Sequence, residues 1–214
     1  MILHLSMVDK LLSQFEAIAG GLANDGIAVT DGFLSTEEVA SICQEDEFKN
    51  GLLRFKKAGI GKVREKQINE SIRGDYIQWI DRATAGQSIQ LYLERIAQLQ
   101  MFLNQSLFLS LKDFEVHMTI YPIGSFYKRH LDQFKKDDHR KLSVICYLNE
   151  NWKAEDGGQL RVYLPENPRD FFPLEGRLIC FRSDLLEHEV LPATRERLSL
   201  TGWMLDEEIG LNLS

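Results

Sequence analysis

Two histidines and an aspartate stand at spacings that could hold a metal. His130-Leu131-Asp132 sets two ligand-type side chains two residues apart. In an extended segment residues i and i+2 point the same way, so both can face one ion. His188 comes 58 residues after His130, at the end of another apolar stretch. Two imidazoles and one carboxylate form the facial set that suits ferrous iron and leaves three positions open. Open positions are what oxygen activation requires: a bidentate keto-acid takes two and dioxygen the third. A histidine with an aspartate two places on arises by accident in roughly one such chain in four, so the company the motif keeps decides its reading.

That company includes a buried-cation pattern. In Arg197-Leu198-Ser199-Leu200-Thr201-Gly202-Trp203-Met204, the residues Leu198, Leu200 and Met204 share one strand face. Arg197, Ser199, Thr201 and Trp203 share the other. If this strand lines a barrel, Arg197 points inward and needs an anion, because an unpaired buried charge costs roughly 3–5 kcal/mol. A carboxylate matches its planar fork. Tyr147 is a second donor, on a face shared with Ser143 and Ile145. The competing reading pairs Arg197 with Glu196 or Asp184 at the surface.

The elements that must carry these residues are legible from periodicity. Ser6 to Asp9 reads as a helix start, with Val8, Leu11, Leu12, Phe15, Ile18 and Ala19 on one face and Gly20-Gly21 as the stop. A short strand follows at Ile27 to Val29. Ser35 and Glu38 make a capping box for a second helix, expected to end near Asn50 and Gly51. A third runs from about Ser88 to Leu109, with Leu93, Ile96, Leu99 (or Gln100) and Leu103 as its buried stripe. After residue 112 the period becomes alternating, with strands expected near 114–121, 141–148, 159–164, 177–182, 186–190 and 198–205. Asp156-Gly157-Gly158 forms a turn between two of them. Helices first and many short strands afterwards imply an α+β fold, with N-terminal helices packed on one sheet of a jelly-roll, cupin-like barrel. The expected division is a helical and substrate-loop region over 1–111 and a catalytic barrel over 112–206, together one compact unit.

Composition narrows the function classes. The 214 residues are 44% hydrophobic and 27% charged, ordinary for a globular protein. No apolar run approaches a membrane span, no signal-peptide pattern opens the chain, and three widely spaced cysteines lacking a C-x-x-C pair read as buried free thiols in a reducing, cytoplasmic setting. The net charge of −7 argues against nucleic acid as a partner. The charge is uneven: Arg54, Lys56, Lys57, Lys62, Arg64, Lys66 and Arg73 face only Glu65 and Glu70 across 54–73. This basic segment reads as a loop that engages a partner.

Taken together, these residues resemble the 2-oxoglutarate oxygenases of the prolyl 4-hydroxylase class, above all the hypoxia-inducible-factor prolyl hydroxylases and their bacterial relatives. The resemblance spans about residues 25–206. It rests on His130-Leu131-Asp132, His188-Glu189-Val190, Arg197 and Trp203. Further support comes from Tyr121-Pro122, Tyr127-Lys128-Arg129, Tyr147-Leu148-Asn149 with Trp152, Gly157-Gly158-Gln159-Leu160-Arg161 and Ile72-Arg73-Gly74-Asp75. It implies a double-stranded β-helix, Fe(II) on His130, Asp132 and His188, and 2-oxoglutarate held by Arg197 and Tyr147. Thr201, Leu160 and Ile145 would line the co-substrate pocket, with Tyr121 near its iron-bound end. Tyr127, Trp203 and Arg140 would meet a target proline, and Asp75, with Arg73 beside it, would link the mobile loop to the core by pairing with Arg140. Dioxygen is the second co-substrate, and ascorbate an expected helper. The bacterial relatives imply a translation factor such as elongation factor Tu as protein substrate.

Two other classes compete. A cupin-like metal-binding sensor would use the same barrel and consume no 2-oxoglutarate. An alkylated-nucleobase demethylase would carry a further arginine six residues after the co-substrate arginine, where this chain has Trp203. Asp132 speaks against the halogenase branch, which lacks the carboxylate ligand.

Overall fold

In the computed structural model, the described residues are 2–45, 48, 55–59, 71–133 and 138–209, with side chains from residue 8 onward. Helices α1 (Ile2–Asp25), α2 (Thr36–Cys43) and α3 (Gln87–Leu107) pack on one face of a seven-stranded antiparallel sheet. Its order is β1 (Ile27–Thr30), β9 (Leu178–Arg182), β6 (Arg140–Tyr147), β11 (Arg197–Leu205), β4 (Asp113–Tyr121), β3 (Tyr76–Trp79) and β2 (Lys56–Lys57). A smaller sheet, ordered β5 (Tyr127–His130), β10 (His188–Val190), β7 (Leu160–Tyr163) and β8 (Pro168–Phe171), closes the other side. Two facing antiparallel sheets with helices on the outside of one are the double-stranded β-helix expected from the strand-rich second half. Strands β1, β2 and β3 come from the first 111 residues and extend the large sheet at both edges.

Alternation on the central strands separates two cores. Phe114, Val116, Met118 and Ile120 of β4, Leu142, Val144 and Cys146 of β6, and Leu200 and Met204 of β11 turn outward to the helices. There they meet Phe15 and Ile18 of α1 and Ile89, Tyr92, Leu93, Ile96, Leu99 and Leu103 of α3, a stripe of helical spacing. Tyr121, Ile145 and Tyr147 turn inward, toward Leu160 and Val162 of the small sheet. Burying each such side chain contributes roughly 1.5–3 kcal/mol.

Helix α2 starts as expected: the Ser35 hydroxyl accepts from the Glu38 amide at 3.2 Å and Glu38 returns the bond to the Ser35 amide at 2.8 Å. It stops at Cys43; the residues where its end was expected lie outside those described. Helix α1 does not stop at Gly20-Gly21 but runs on to Asp25. The glycines serve packing there. A Cβ on Gly21 would lie 2.8 Å from the Ile27 carbonyl oxygen and 2.9 Å from the Ala28 Cβ, so β1 folds back against a bare helix surface. The turn itself falls at Gly26, whose φ of +69° suits glycine. Val8 and Leu12 lie outside the buried stripe and are exposed. Gly21→Ala is therefore expected to destabilise the protein by about 1–3 kcal/mol through overpacking, read as a lower urea midpoint at unchanged slope.

Asp156-Gly157-Gly158 does not close a hairpin. It follows a short 3-10 turn, Ala154–Asp156, and carries the chain from β6 in the large sheet to β7 in the small one. Strands β5 and β8 were not among those expected, whereas β3 is one of the short strands expected to flank the basic segment. All are four residues long, too short for a period to declare itself, and Pro168 opens β8 on a sheet edge, where a missing donor is tolerated. Among the thiols, Cys146 and Cys180 are buried and Cys43 half-buried; all three are free.

Candidate functional site

The small sheet brings the two imidazoles together directly. His130 ends β5, His188 opens β10, and the two are register partners. Each ring is fixed from behind. Nδ1 of His130 lies 2.7 Å from the Lys128 carbonyl oxygen, and Nδ1 of His188 lies 3.2 Å from that of Leu186. A carbonyl only accepts, so both Nδ1 atoms carry the proton and both Nε2 atoms present lone pairs. Tyr127 stacks on His130 at 3.5 Å between centroids, and Phe181 meets His188 edge-on at 4.7 Å.

Asp132 lies just beyond β5 and completes the cluster. His130 Nε2 is 3.4 Å from its Oδ1 and His188 Nε2 is 3.6 Å from its Oδ2. One donor atom from each of the three lies within 4.8 Å of the other two. Burial alone would raise the Asp132 pKa, but His188, His130 and the Ser143 hydroxyl outweigh it and hold the carboxyl well below its ordinary range. Burial also pushes His188 down to about 4, against the opposing pull of Asp132. An ionised Asp132 and a His188 held down by burial are the forms in which these two groups serve a divalent metal. The donor set, two nitrogens and one oxygen with the remaining side open to a cavity, fits Fe(II).

Arg197 sits deeper in the same cavity and is 2% exposed. Its Nη2 donates to the Tyr147 hydroxyl at 3.1 Å, and its Nε has no partner. Its guanidinium carbon lies 4.9 Å from the Tyr121 ring centre and 4.8 Å from that of Tyr147. No carboxylate pairs with it among the described residues. Asp184 is taken by Arg182, with 2.8 and 2.7 Å bonds, and Glu196 is exposed. The surface-pair reading of Arg197 therefore fails. A buried, under-partnered guanidinium in the same cavity as a metal-type cluster has the chemistry to pair with an external carboxylate. Ile145, Leu160 and Thr201 line the same cavity.

The remaining expected residues gather at the cavity's wider end. Arg73 sits over the Tyr127 ring at 4.3 Å and Arg140 over the Trp203 ring at 3.5 Å. Asp75 is 1% exposed and accepts from Arg73 at 2.7 and 2.5 Å. It pairs with Arg73 rather than with Arg140, which donates to Glu115 at 3.1 and 2.7 Å. This corrects the expected Asp75–Arg140 link. Of the basic segment 54–73, only Phe55–Gly59 and Ser71–Arg73 fall among the described residues; Arg54, Lys62, Arg64 and Lys66 lie outside them. His117 is buried in the cavity wall, pushed down to about 4 chiefly by burial. The sequence reading gave no role to Trp79, about half exposed with its ring 5.0 Å from His117 and 6.3 Å from Trp203, both of which line the cavity. It also gave no role to Ser143 and Ser183, behind Asp132. Ser143 carried a signal, since it shares a strand face with Ile145 and Tyr147.

Residues 116–205 match the family model of the 2OG-Fe(II) oxygenase superfamily, a span that holds all three metal-type residues and Arg197. A Caenorhabditis elegans hypoxia-inducible factor prolyl hydroxylase is 32% identical across 96% of this chain, which spans 30% of the nematode protein. Mouse prolyl hydroxylase EGLN3 is 30% identical over 96% of this chain and 89% of its own length. Among solved structures, a Pseudomonas putida prolyl-4-hydroxylase superposes with a TM-score of 0.81 at 42% identity, covering 91% of this chain and all of that one. A Trichoplax adhaerens prolyl hydroxylase, in complex with a hypoxia inducible factor peptide fragment, gives 0.81 at 28% identity over 94% and 92%. The mouse and Pseudomonas putida relatives, matched over 89% and all of their own lengths, make the chain a member of the 2OG-Fe(II) oxygenases, in the group of the prolyl hydroxylases.

Proposed function

We propose that this protein hydroxylates a prolyl residue of a protein substrate at C4, using Fe(II), 2-oxoglutarate and dioxygen and releasing succinate and CO2. The observation that carries the proposal is Arg197, buried without a carboxylate partner among the described residues in the cavity that His130, Asp132 and His188 also line. The likeness to prolyl hydroxylases supports the choice of proline as target.

Fe(II), when bound, supplies the oxidising chemistry with 2-oxoglutarate as electron source. The chain supplies position. His130 and His188 offer Nε2 and Asp132 a carboxylate oxygen. Arg197 and Tyr147 take the distal carboxylate of 2-oxoglutarate, and Tyr121, Ile145, Leu160 and Thr201 shape its slot. Tyr127, Trp203 and Arg140 form the wall for the target proline. The Trp203 Nε1, buried without a partner, is a donor for a peptide carbonyl. Arg73 and Asp75 hold the base of the segment that would cover the peptide. The apolar walls keep water from the reacting centre. A translation factor such as elongation factor Tu is the first protein to assay, and ascorbate is expected to sustain turnover.

Purified protein with Fe(II), 2-oxoglutarate and oxygen is expected to form succinate faster when a proline-containing substrate peptide is added, with a +16 mass shift on that proline. Succinate unaffected by any peptide would keep the oxygenase and reject the peptide panel. Protein that holds iron yet forms no succinate would instead be the non-catalytic, cupin-like sensor.

A further inference from the structure

We infer that Ser143 and Ser183 form a two-hydroxyl relay that positions Asp132 for single-oxygen metal ligation and sets the metal affinity of the site. The inference rests on the metal-dependent reading above.

The three metal-type side chains are not held alike. His130 and His188 sit on paired strands of the small sheet, and each ring is braced by a backbone carbonyl and an aromatic neighbour. Asp132 has left β5 and lies in a bend, outside any ladder. Its restraint comes from the opposite sheet. Ser143 of β6 lies 2.6 Å from its Oδ2, and Ser183, just after β9, lies 2.9 Å from Ser143 Oγ. The next amide, that of Gln133, donates to the Ser183 carbonyl at 3.2 Å. Ser143 and Ser183 are both fully buried.

Counting donors fixes the direction of the relay. An ionised carboxylate only accepts, and a serine hydroxyl has one hydrogen. Ser143 therefore gives its hydrogen to Asp132, and the hydrogen in the 2.9 Å contact belongs to Ser183. The chain runs Ser183 to Ser143 to Asp132, each bond polarising the next. It commits Oδ2 to a charge-assisted bond and leaves Oδ1 to the metal. The relay ties an irregular loop of one sheet to β6 and the end of β9 in the other, behind the metal-type cluster.

Partners behind a metal ligand of this kind typically change metal affinity 10–100-fold. Mn(II) is the probe, with the free ion counted by electron paramagnetic resonance in protein first stripped of metal. Ser143→Ala is expected to bind Mn(II) about 10- to 100-fold more weakly, with the 2-oxoglutarate KM rising less than the metal constant. Ser143→Thr, which restores the hydroxyl, is expected to return to wild-type affinity. Ser183→Ala, which removes only the outer donor, should show a smaller loss in the same direction. Thermal melts of each variant check folding. Wild-type affinity in both alanine variants overturns the relay, as does equal loss in Ser143→Thr and Ser143→Ala with melts unchanged. Failure of the wild type itself to bind Mn(II) would overturn the metal-dependent reading instead.

Discussion

Arg197→Met is expected to make the protein without co-substrate more heat-stable while nearly abolishing its use of 2-oxoglutarate. The two effects share one cause. Arg197 is 2% exposed and its Nε has no partner within the protein, so its charge is under-compensated by the chain alone. Replacing such a group with an apolar side chain of similar length is neutral or stabilising by about 1–4 kcal/mol. Part of that gain is offset because the Tyr147 hydroxyl loses a donor. At about 2–4 °C per kcal/mol, a rise of a few degrees in Tm should be measurable. Losing a charged partner for a buried carboxylate costs roughly 2–5 kcal/mol. At 1.4 kcal/mol per decade, the 2-oxoglutarate KM should rise about 30- to 3,000-fold. Added 2-oxoglutarate should raise the wild-type Tm and leave the variant unmoved, because only a ligand that binds the folded state stabilises it. A variant that melts lower and keeps its KM would mean that Arg197 is structural.

Asp132→Ala is expected to remove both metal binding and succinate formation. Asp132 is the only anion of the cluster, and its carboxylate is kept ionised by His130, His188 and Ser143 against the effect of burial. Without it a divalent ion would be buried against two neutral rings. An uncompensated buried charge costs about 3–5 kcal/mol, so Mn(II) affinity should fall on the order of 10³-fold. Asp132→Asn separates charge from shape. The amide oxygen still accepts from Ser143, yet the negative charge is gone and an N–H group faces the histidine lone pairs. It should lose metal as Asp132→Ala does. Retained Mn(II) binding in Asp132→Asn would show that shape, rather than charge, holds the ion.

How much of this was legible in the sequence depended on the distance over which each feature is written. The two-residue spacing of His130 and Asp132 and the alternation of β11 are local, and both survive in the structure. Strand β11 keeps one register against β4 for nine residues, long enough for its two faces to declare themselves. The pairing of Asp75 was misjudged because Arg73 and Arg140 are both plausible partners on sequence grounds. Only packing decides that Arg73, on a β-bridge to Tyr127, is the closer one. The end of α1 was misjudged because Gly21 answers to a contact with β1, which helix propensity cannot express. The Ser143–Ser183 relay joins residues 40 apart in sequence, and serines carry no periodic mark of what they touch.

Strands β4, β6 and β11 give one face to the helices and the other to the cavity, and this has a consequence for errors in folding. A slip of β11 by one residue would turn Arg197 and Ser199 toward Ile120, Met118 and the core beneath the helices, and would aim Leu198 and Leu200 into the cavity. Side-chain direction alternates strictly along a strand, so no partial slip is available. A guanidinium against an apolar helix face would be rejected at a cost of several kcal/mol. The arginine that would bind the co-substrate thus also proofreads the strand that carries it: a misregistered barrel would be unable to bind 2-oxoglutarate and would be too unstable to persist.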